Sequence, residues 1–378
     1  MAFTFIHTAD WQIGKAFGSF DADVRAQLRA ARLEAIDRIA GVAAASSARH
    51  VIVAGDIFDT EHIEDALLRQ TLARMKTYGA IAWHLLPGNH DPVRSGGVWG
   101  RLTRLGLPPN ISLLLACTPY LIEPNVVLLP APLTAKEARS DPTRWMDDVA
   151  ETAGRLRLGV AHGSVRGFGS LGEAAVPIEA ARRASAHLDY LALGDWHGTK
   201  EITEGVWYAG TPEADSFAEN DPGHVLAVTI AERGAKPKVS RVTTGRYRWI
   251  ERRAVISRQT DLGPVETEIE ALGEDGRHCI LKVILEGAIS AAEATAIDER
   301  LQRLSALPLA TVVEQRSLRV LADGSDREQI ADPALAAVAD RLIAQGKLGD
   351  AREARLAARA MRLLLALGSE PAGGEPSA

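Results

Sequence analysis

Val51-Ile52-Val53-Ala54-Gly55-Asp56-Ile57-Phe58-Asp59 is a run of four apolar residues that leads through a glycine straight into two carboxylates. A short apolar run closed by glycine reads as a strand buried on both faces, with its polar residues delivered at the carboxyl end. Working outward, the pattern recurs. Phe3 to Ile6 precedes Asp10-Trp11-Gln12, and Ile81 to Leu86 precedes Gly88-Asn89-His90-Asp91. Leu156 to Ala161 leads into Ala161-His162-Gly163, and Leu188 to Leu193 into Gly194-Asp195-Trp196-His197. Helical patterns at Ala22 to Ala45 and Ile63 to Tyr78 fall between the early strands, as in βαβ units. Open α/β sheets place their chemistry outside the carboxyl ends of the strands, so all five motifs are expected on one rim. Val206-Trp207-Tyr208, Val225 to Ile230 and Val239 to Val242 suggest a second, antiparallel sheet, giving a two-sheet α/β sandwich with flanking helices.

Three carboxylates, three imidazoles and two carboxamides on one rim are the ligand inventory of a two-metal hydrolytic centre, and phosphoester hydrolysis is the expected chemistry. A lone Gly-Asp pair ends many structural turns; the shared strand-end context is what carries the reading. Asn89-His90-Asp91 is its most specific piece, because it delivers a carboxamide, an imidazole and a carboxylate from adjacent positions. His7 ends the first strand and reads as a buried, hydrogen-bonded histidine. Trp11 and Trp196 flank ligand positions and fit either a cleft wall or the core.

At 378 residues and 46% hydrophobic content the chain can bury two or three domains. It begins with a first strand rather than a basic leader, no apolar run approaches membrane-spanning length, and a cytoplasmic setting is expected. Cys117 and Cys279 have no metal or redox spacing and read as buried, reduced thiols. A net charge of −6 argues against wholesale binding of nucleic acid. Locally, residues 231–258 carry nine basic residues against two acidic ones, with Tyr247 and Trp249 among them. That composition suits a phosphate backbone with unstacked bases, or simply a solvated, charged strand pair.

The organisation expected is a catalytic domain over residues 1–250, a small α+β capping module over 251–322, a helical segment over 323–367 and a disordered tail over 368–378. The helical segment should break near Gly346 and Gly349, and its apolar end, Leu356, Met361, Leu364, Leu365 and Leu367, should pack on its own domain or dock in a partner's groove.

His7-Thr8-Ala9-Asp10-Trp11-Gln12-Ile13-Gly14, Gly55-Asp56-Ile57-Phe58-Asp59-Thr60 and Gly88-Asn89-His90-Asp91 together resemble the motifs of the calcineurin-like metallophosphoesterases. Within them the chain looks most like the SbcD-type DNA repair exonucleases, bacterial relatives of the meiotic recombination nuclease. The resemblance covers roughly residues 3–230 and implies a four-layer α/β/β/α sandwich with a capping module and a C-terminal helical tail. It implies two divalent ions, one held by Asp10, Gln12, Asp56 and His197, the other by Asp56, Asn89, His162 and Asp195, with Asp56 bridging. In-line attack of a metal-bridging hydroxide on a phosphodiester follows, with His90 protonating the leaving oxygen and Asp91 orienting its ring. The implied partners are DNA and an SMC-like ATPase of the SbcC type docked through the helical tail; a homodimer is also implied.

The family pattern has histidine where this chain has Gln12 and Asp195. Oxygen therefore replaces nitrogen once at each metal, which should favour Mn²⁺, or Mg²⁺, over Zn²⁺. Two other functions compete: a phosphodiesterase for small or cyclic nucleotides, and a regulatory subunit whose centre has weakened through Gln12 and Asp195.

Overall fold

The computed structural model describes residues 2–150, 154–168 and 175–369, with side chains to residue 366. Two compact units result, Met1–Tyr247 and Arg248–Ala378, dividing three residues before the expected boundary.

The first unit is built on two six-stranded sheets. One runs, edge to edge, Lys238–Thr243, His224–Ile230, Phe3–Thr8, His50–Val53, Ala82–Leu85 and Ile111–Leu113. The other runs Lys200–Thr203, Val206–Tyr208, Tyr190–Gly194, Leu156–His162, Val126–Ala131 and Tyr120–Glu123. The second sheet is therefore not the antiparallel one the sequence suggested. Its four inner strands are parallel, and the hairpin of His224–Ile230 and Lys238–Thr243 instead extends the first sheet, pairing Phe3 with Ile230 and His7 with Leu226. That pairing occupies the open edge of Phe3–Thr8, whose backbone donors and acceptors would otherwise lack strand partners.

Strand alternation divides the apolar residues between three cores. Phe5, Ile52 and Val228 meet Leu128, Leu158, Val160, Tyr190 and Ala192 between the sheets. On the other face of the first sheet, Ile6, Val51, Val53 and Trp83 pack on Ile36 and Ile39 of helix Ala22–Ala45, Leu68 and Leu72 of Asp65–Thr77 and Trp99 of Val98–Leu105. The outer face of the second sheet is covered more thinly, among the described residues, by the 3₁₀ turn Arg144–Asp148, the single helical turn Arg182–Ser185 and loops. This is the four-layer α/β/β/α order with a slight fourth layer. Trp11 is core, 1% exposed, with its indole N–H on Thr8 Oγ1.

The second unit has a three-stranded, all-parallel sheet, Arg248–Ile256, Cys279–Ser290 and Ala310–Leu321, packed on helices Gly263–Glu270 and Ala291–Leu304. Helices Pro333–Leu348 and Ala351–Ser369 follow, broken at Gly349 while Gly346 stays helical. Met361 and Leu364 bury against Ala291, Ala322, Ala336 and Ala339, so the tail packs on its own module; Leu356 and Leu363 stay exposed. Gly368 and Ser369 end the last helix, and the rest of the tail expected to be disordered, like the Leu367 side chain, lies outside the described residues.

The expectation of two buried thiols changes at one of them. Cys117 is exposed, whereas Cys279 is buried. The basic stretch is largely neutralised where it stands: Lys236 pairs with Glu204, Arg241 with Asp221, Arg246 with Glu34, Arg252 with Glu268, Arg253 with Glu251 and Arg258 with Asp261. Tyr247 is buried. Among the described residues no helix is long and apolar enough to cross a membrane.

Phe5 is fully buried between the sheets, edge-on to Tyr190 at 5.5 Å. Phe5→Ala should lower stability by about 3–5 kcal/mol in urea unfolding, whereas Leu121→Ala at an exposed edge should change it by less than about 0.5 kcal/mol.

Candidate metal centre

The loops after Phe3–Thr8 and His50–Val53 run alongside each other. Asp10 N–H donates to Gly55 O (3.1 Å), Gln12 N–H to Asp56 O (2.9 Å) and Ile13 N–H to Ile57 O (2.9 Å). Asp10, Gln12, Asp56 and Asp195 hold positive φ angles of 54°, 42°, 53° and 104°. Left-handed backbone at non-glycine residues costs about 1–3 kcal/mol each and persists only where the surroundings impose it. At Asp10 and Gln12 the clamp is Arg32 of helix Ala22–Ala45, 1% exposed. Its guanidinium donates to the carbonyls of Trp11 (2.9 Å), Gln12 (3.3 Å), Asp10 (3.3 Å) and Glu213 (2.9 Å) and to Thr211 Oγ1 (3.3 Å).

These turns converge Asp10, Asp56 and His162, whose ligand atoms lie within 4.8 Å of one another, all buried. Glycine is needed at two approaches: a Cβ on Gly55 would lie 2.2 Å from His162 Nδ1, and one on Gly88 2.1 Å from Asp56 Oδ1. His162 Nδ1 donates to Ala54 O at 2.9 Å, which turns Nε2 toward Asp56 Oδ1 (3.5 Å) and Asp195 Oδ1 (3.9 Å). Asp195 is fixed by its own N–H on Asp10 Oδ1 (3.1 Å) and by Ser164 Oγ on its Oδ2 (2.5 Å). Asn89 Oδ1 stands 2.9 Å from His162 Nε2 and faces the Asp56 carboxylate. Between Asn89 Oδ1 and the Asp56 carboxylate acceptor thus meets acceptor, a conflict that a cation between them removes; turning the amide over, with its nitrogen 3.2 Å from each Asp56 oxygen, removes it as well. Oxygen-rich donors, one carboxamide and an imidazole with its outer nitrogen tied to a carbonyl fit a divalent ion.

Gln12 and His197 complete the rim, with Gln12 Nε2 3.1 Å from His197 Nε2. Behind them stands Asp215, which lies outside the five strand-end motifs. Its Oδ1 accepts from His197 Nδ1 at 3.2 Å, and its Oδ2 accepts from Lys15 Nζ at 2.6 Å and lies 3.6 Å from Arg32. Burial would raise the Asp215 carboxyl, but His197, Arg32 and Lys15 together hold it well below the usual range. A carboxylate on the outer nitrogen of a ligand histidine fixes its tautomer and aim. Asp215 had a signal: Val206-Trp207-Tyr208 also runs into a polar turn, Gly210-Thr211-Pro212-Glu213-Ala214-Asp215.

His90 sits at the lip with its side chain 42% exposed and Nε2 3.9 Å from Asp56 Oδ2. Asp91 does not orient it. The Asp91 carboxylate accepts from the N–H groups of Gly88 (2.7 Å) and Phe58 (3.0 Å), tying two motif loops together, while His90 Nδ1 donates to Asp59 O at 2.8 Å. Asp91 is fully buried, which is why it goes to backbone donors rather than to a half-exposed ring. His7 is a buried structural histidine between Tyr190 Oη (3.0 Å) and Leu193 O (3.2 Å), and burial lowers it to about 3.

Burial raises Asp10 to about 6. Burial alone would lower His162, but Asp56, Asp10 and Asp195 outweigh it and raise the ring to about 9. In the metal-free protein His162 therefore carries a proton at neutral pH, which an ion must displace. Between pH 6 and 9, ion binding should release about one proton from this ring and strengthen as pH rises, and a second proton should appear below pH 6 as Asp10 also titrates. Calorimetry in buffers of different ionisation enthalpy counts the protons; binding that releases none contradicts this electrostatic picture.

The sequence profile of the calcineurin-like phosphoesterases matches residues 3–197, more than half of the chain. No curated protein matches. Among solved structures, a protein from Thermus thermophilus aligns at 11% identity and a TM-score of 0.40, covering 64% of this chain and 99% of its own. A dimetal phosphatase from Danio rerio aligns at 12% and 0.39, covering 64% and 99%. A purple acid phosphatase from yellow lupin seeds aligns at 14% and 0.42, covering 65% and 52%. Likeness of that degree adds nothing to the argument, which stands on the matched motifs and the centre they form: the chain belongs to the calcineurin-like phosphoesterase family.

Proposed function

We propose that this phosphoester hydrolase is a metal-dependent DNA nuclease of the SbcD type, cleaving phosphodiester bonds at the Asp10–Asp56–His162 centre with two ions, Mn²⁺ foremost. The observation that carries the reading is His90. It is a half-exposed imidazole at the lip of an otherwise buried carboxylate cluster, held by Asp59 O through Nδ1 with Nε2 toward the centre. Asp10, Gln12, Asp56 and His197 would hold one ion, and Asp56, Asn89, His162 and Asp195 the other. Bound divalent ions supply Lewis acidity, drawing charge from the phosphate and lowering the pKa of water. His90 gives its Nε2 proton to the departing sugar oxygen. Asp215 and Arg32 keep the His197 ring and the backbone of the Asp10–Gln12 turn in place.

DNA as substrate is supported by the motif resemblance and by a cleft lined by Phe168, Trp196 and Trp207, where Trp196 lies between two ligand positions. Aromatic faces of this kind stack unpaired bases. The basic stretch lends little support, being mostly ion-paired. Docking of an SbcC-type ATPase is supported by Leu356 and Leu363, which the last helix leaves exposed.

Purified protein should degrade linear double-stranded or circular single-stranded DNA in Mn²⁺ and not in EDTA. Asp56→Ala should abolish cleavage, and His90→Gln should lower kcat about 10²–10⁴-fold while ion binding persists. Cleavage of bis-para-nitrophenyl phosphate with no cleavage of DNA would favour a small-nucleotide phosphodiesterase instead.

A further inference from the structure

The two halves of the centre are built unequally. Asp10, Asp56 and His162 bring ligand atoms within 4.8 Å of one another, and among the described residues no hydrogen bond links these three side chains. On the other side the side chains close a ring of hydrogen bonds among themselves. Lys15 Nζ donates to Gln12 Oε1 at 3.1 Å, and Gln12 Nε2 lies 3.1 Å from His197 Nε2. His197 Nδ1 donates to Asp215 Oδ1 at 3.2 Å, and Lys15 Nζ returns to Asp215 Oδ2 at 2.6 Å. With its hydrogen on Nδ1, His197 offers Nε2 as acceptor to the Gln12 amide. The two atoms that could bind an ion here, the amide oxygen and the imidazole nitrogen, are thus both engaged. Asp215, with its side chain 2% exposed, anchors the ammonium, and Lys15 itself is 28% exposed.

We propose that Lys15 is a resident cation that makes the Gln12–His197 position the loose, exchangeable member of the metal pair. An ion entering there must part Gln12 from His197 and settle beside a fixed positive charge, which repels a divalent cation. The same ammonium offsets part of the carboxylate charge in advance. The protein therefore holds one ion tightly on the Asp56–His162 side, with Asn89 and Asp195, and loads the second, beside Asp10, Gln12 and His197, when ion concentration is high or when a substrate phosphate brings negative charge to the site. If Lys15 and Asp215 were only a clamp on the loop, removing the charge would leave the ion affinities alone. The inference rests on the metal centre and not on DNA as the substrate.

Titration of the full chain with Mn²⁺, reading free ion by electron paramagnetic resonance and heat by calorimetry, tests it without reference to activity. The wild type should show two classes of site at least about tenfold apart. Lys15→Met should tighten the weaker class about tenfold or more and leave the tighter within about threefold. Lys15→Gln, which keeps a donor for Asp215 without the charge, should do the same and covers the case in which the methionine variant folds poorly. Equal affinities in the wild type, or a weaker class that neither variant tightens, would overturn the proposal. Failure to bind any ion would overturn the metal centre itself, and two unequal classes in a protein inert on DNA would count against the nuclease reading alone.

Discussion

The Asp10 and Asp56 carboxylates, buried beside the His162 ring with ligand atoms inside 4.8 Å, are the constraint around which the rest of the first unit is organised. Such a concentration of negative charge away from water is unfavourable unless positive charge is brought to it. The protein brings some of its own. Protonated His162 stands inside the cluster, and Arg32 and Lys15 approach from the Asp215 side. What these groups leave uncompensated is what a divalent ion would supply. Strain in the backbone is tied to the same need, since the left-handed turns at Asp10, Gln12, Asp56 and Asp195 are what direct the side chains inward.

Rigidity reaches the centre from the core. The parallel strands Phe3–Thr8, His50–Val53, Leu156–His162 and Tyr190–Gly194 end at this rim, and both sheets are packed on each face. Backbone bonds such as Gly163 N–H to Gly194 O (3.1 Å) and Asp10 N–H to Gly55 O lock neighbouring loops to each other. Asp91 performs the same office through its side chain. Among the flanking groups, His90 at 42% side-chain exposure and Asp195 at 28% are more open than Asp10, Asp56 and His162.

Much of this was legible in the sequence because strand ends and ligand positions are local. Apolar runs closed by Gly55, Gly88 and Gly194 announced both the strands and where their chemistry would fall. Sheet membership was less legible. Val225 to Ile230 reads equally as a strand of either sheet, and only the long-range pairing with Phe3–Thr8 decides between them. Arg32 looks like an ordinary charge until the helix places it between buried Leu28 and Ile36, and Lys15 carries no pattern of its own. Asp91 misled because adjacency in sequence suggested contact with His90, whereas a buried carboxylate is drawn to unpaired backbone N–H groups. The basic stretch around residues 231–258 left two readings open, and partners such as Glu34 and Glu204, far along the chain, favour the charged, ion-paired surface.

The chemistry of this protein depends on Asp10, Asp56 and His162 being ligands of catalytic divalent ions. Anomalous diffraction at the manganese edge, from crystals of the full chain grown in Mn²⁺, tests it most directly. A strong anomalous peak is expected in contact with Asp56 and His162 Nε2, with a second, weaker one at Asp10 and Asp56. A well-ordered centre filled only by side chains and water, with manganese bound elsewhere or not at all, would contradict it.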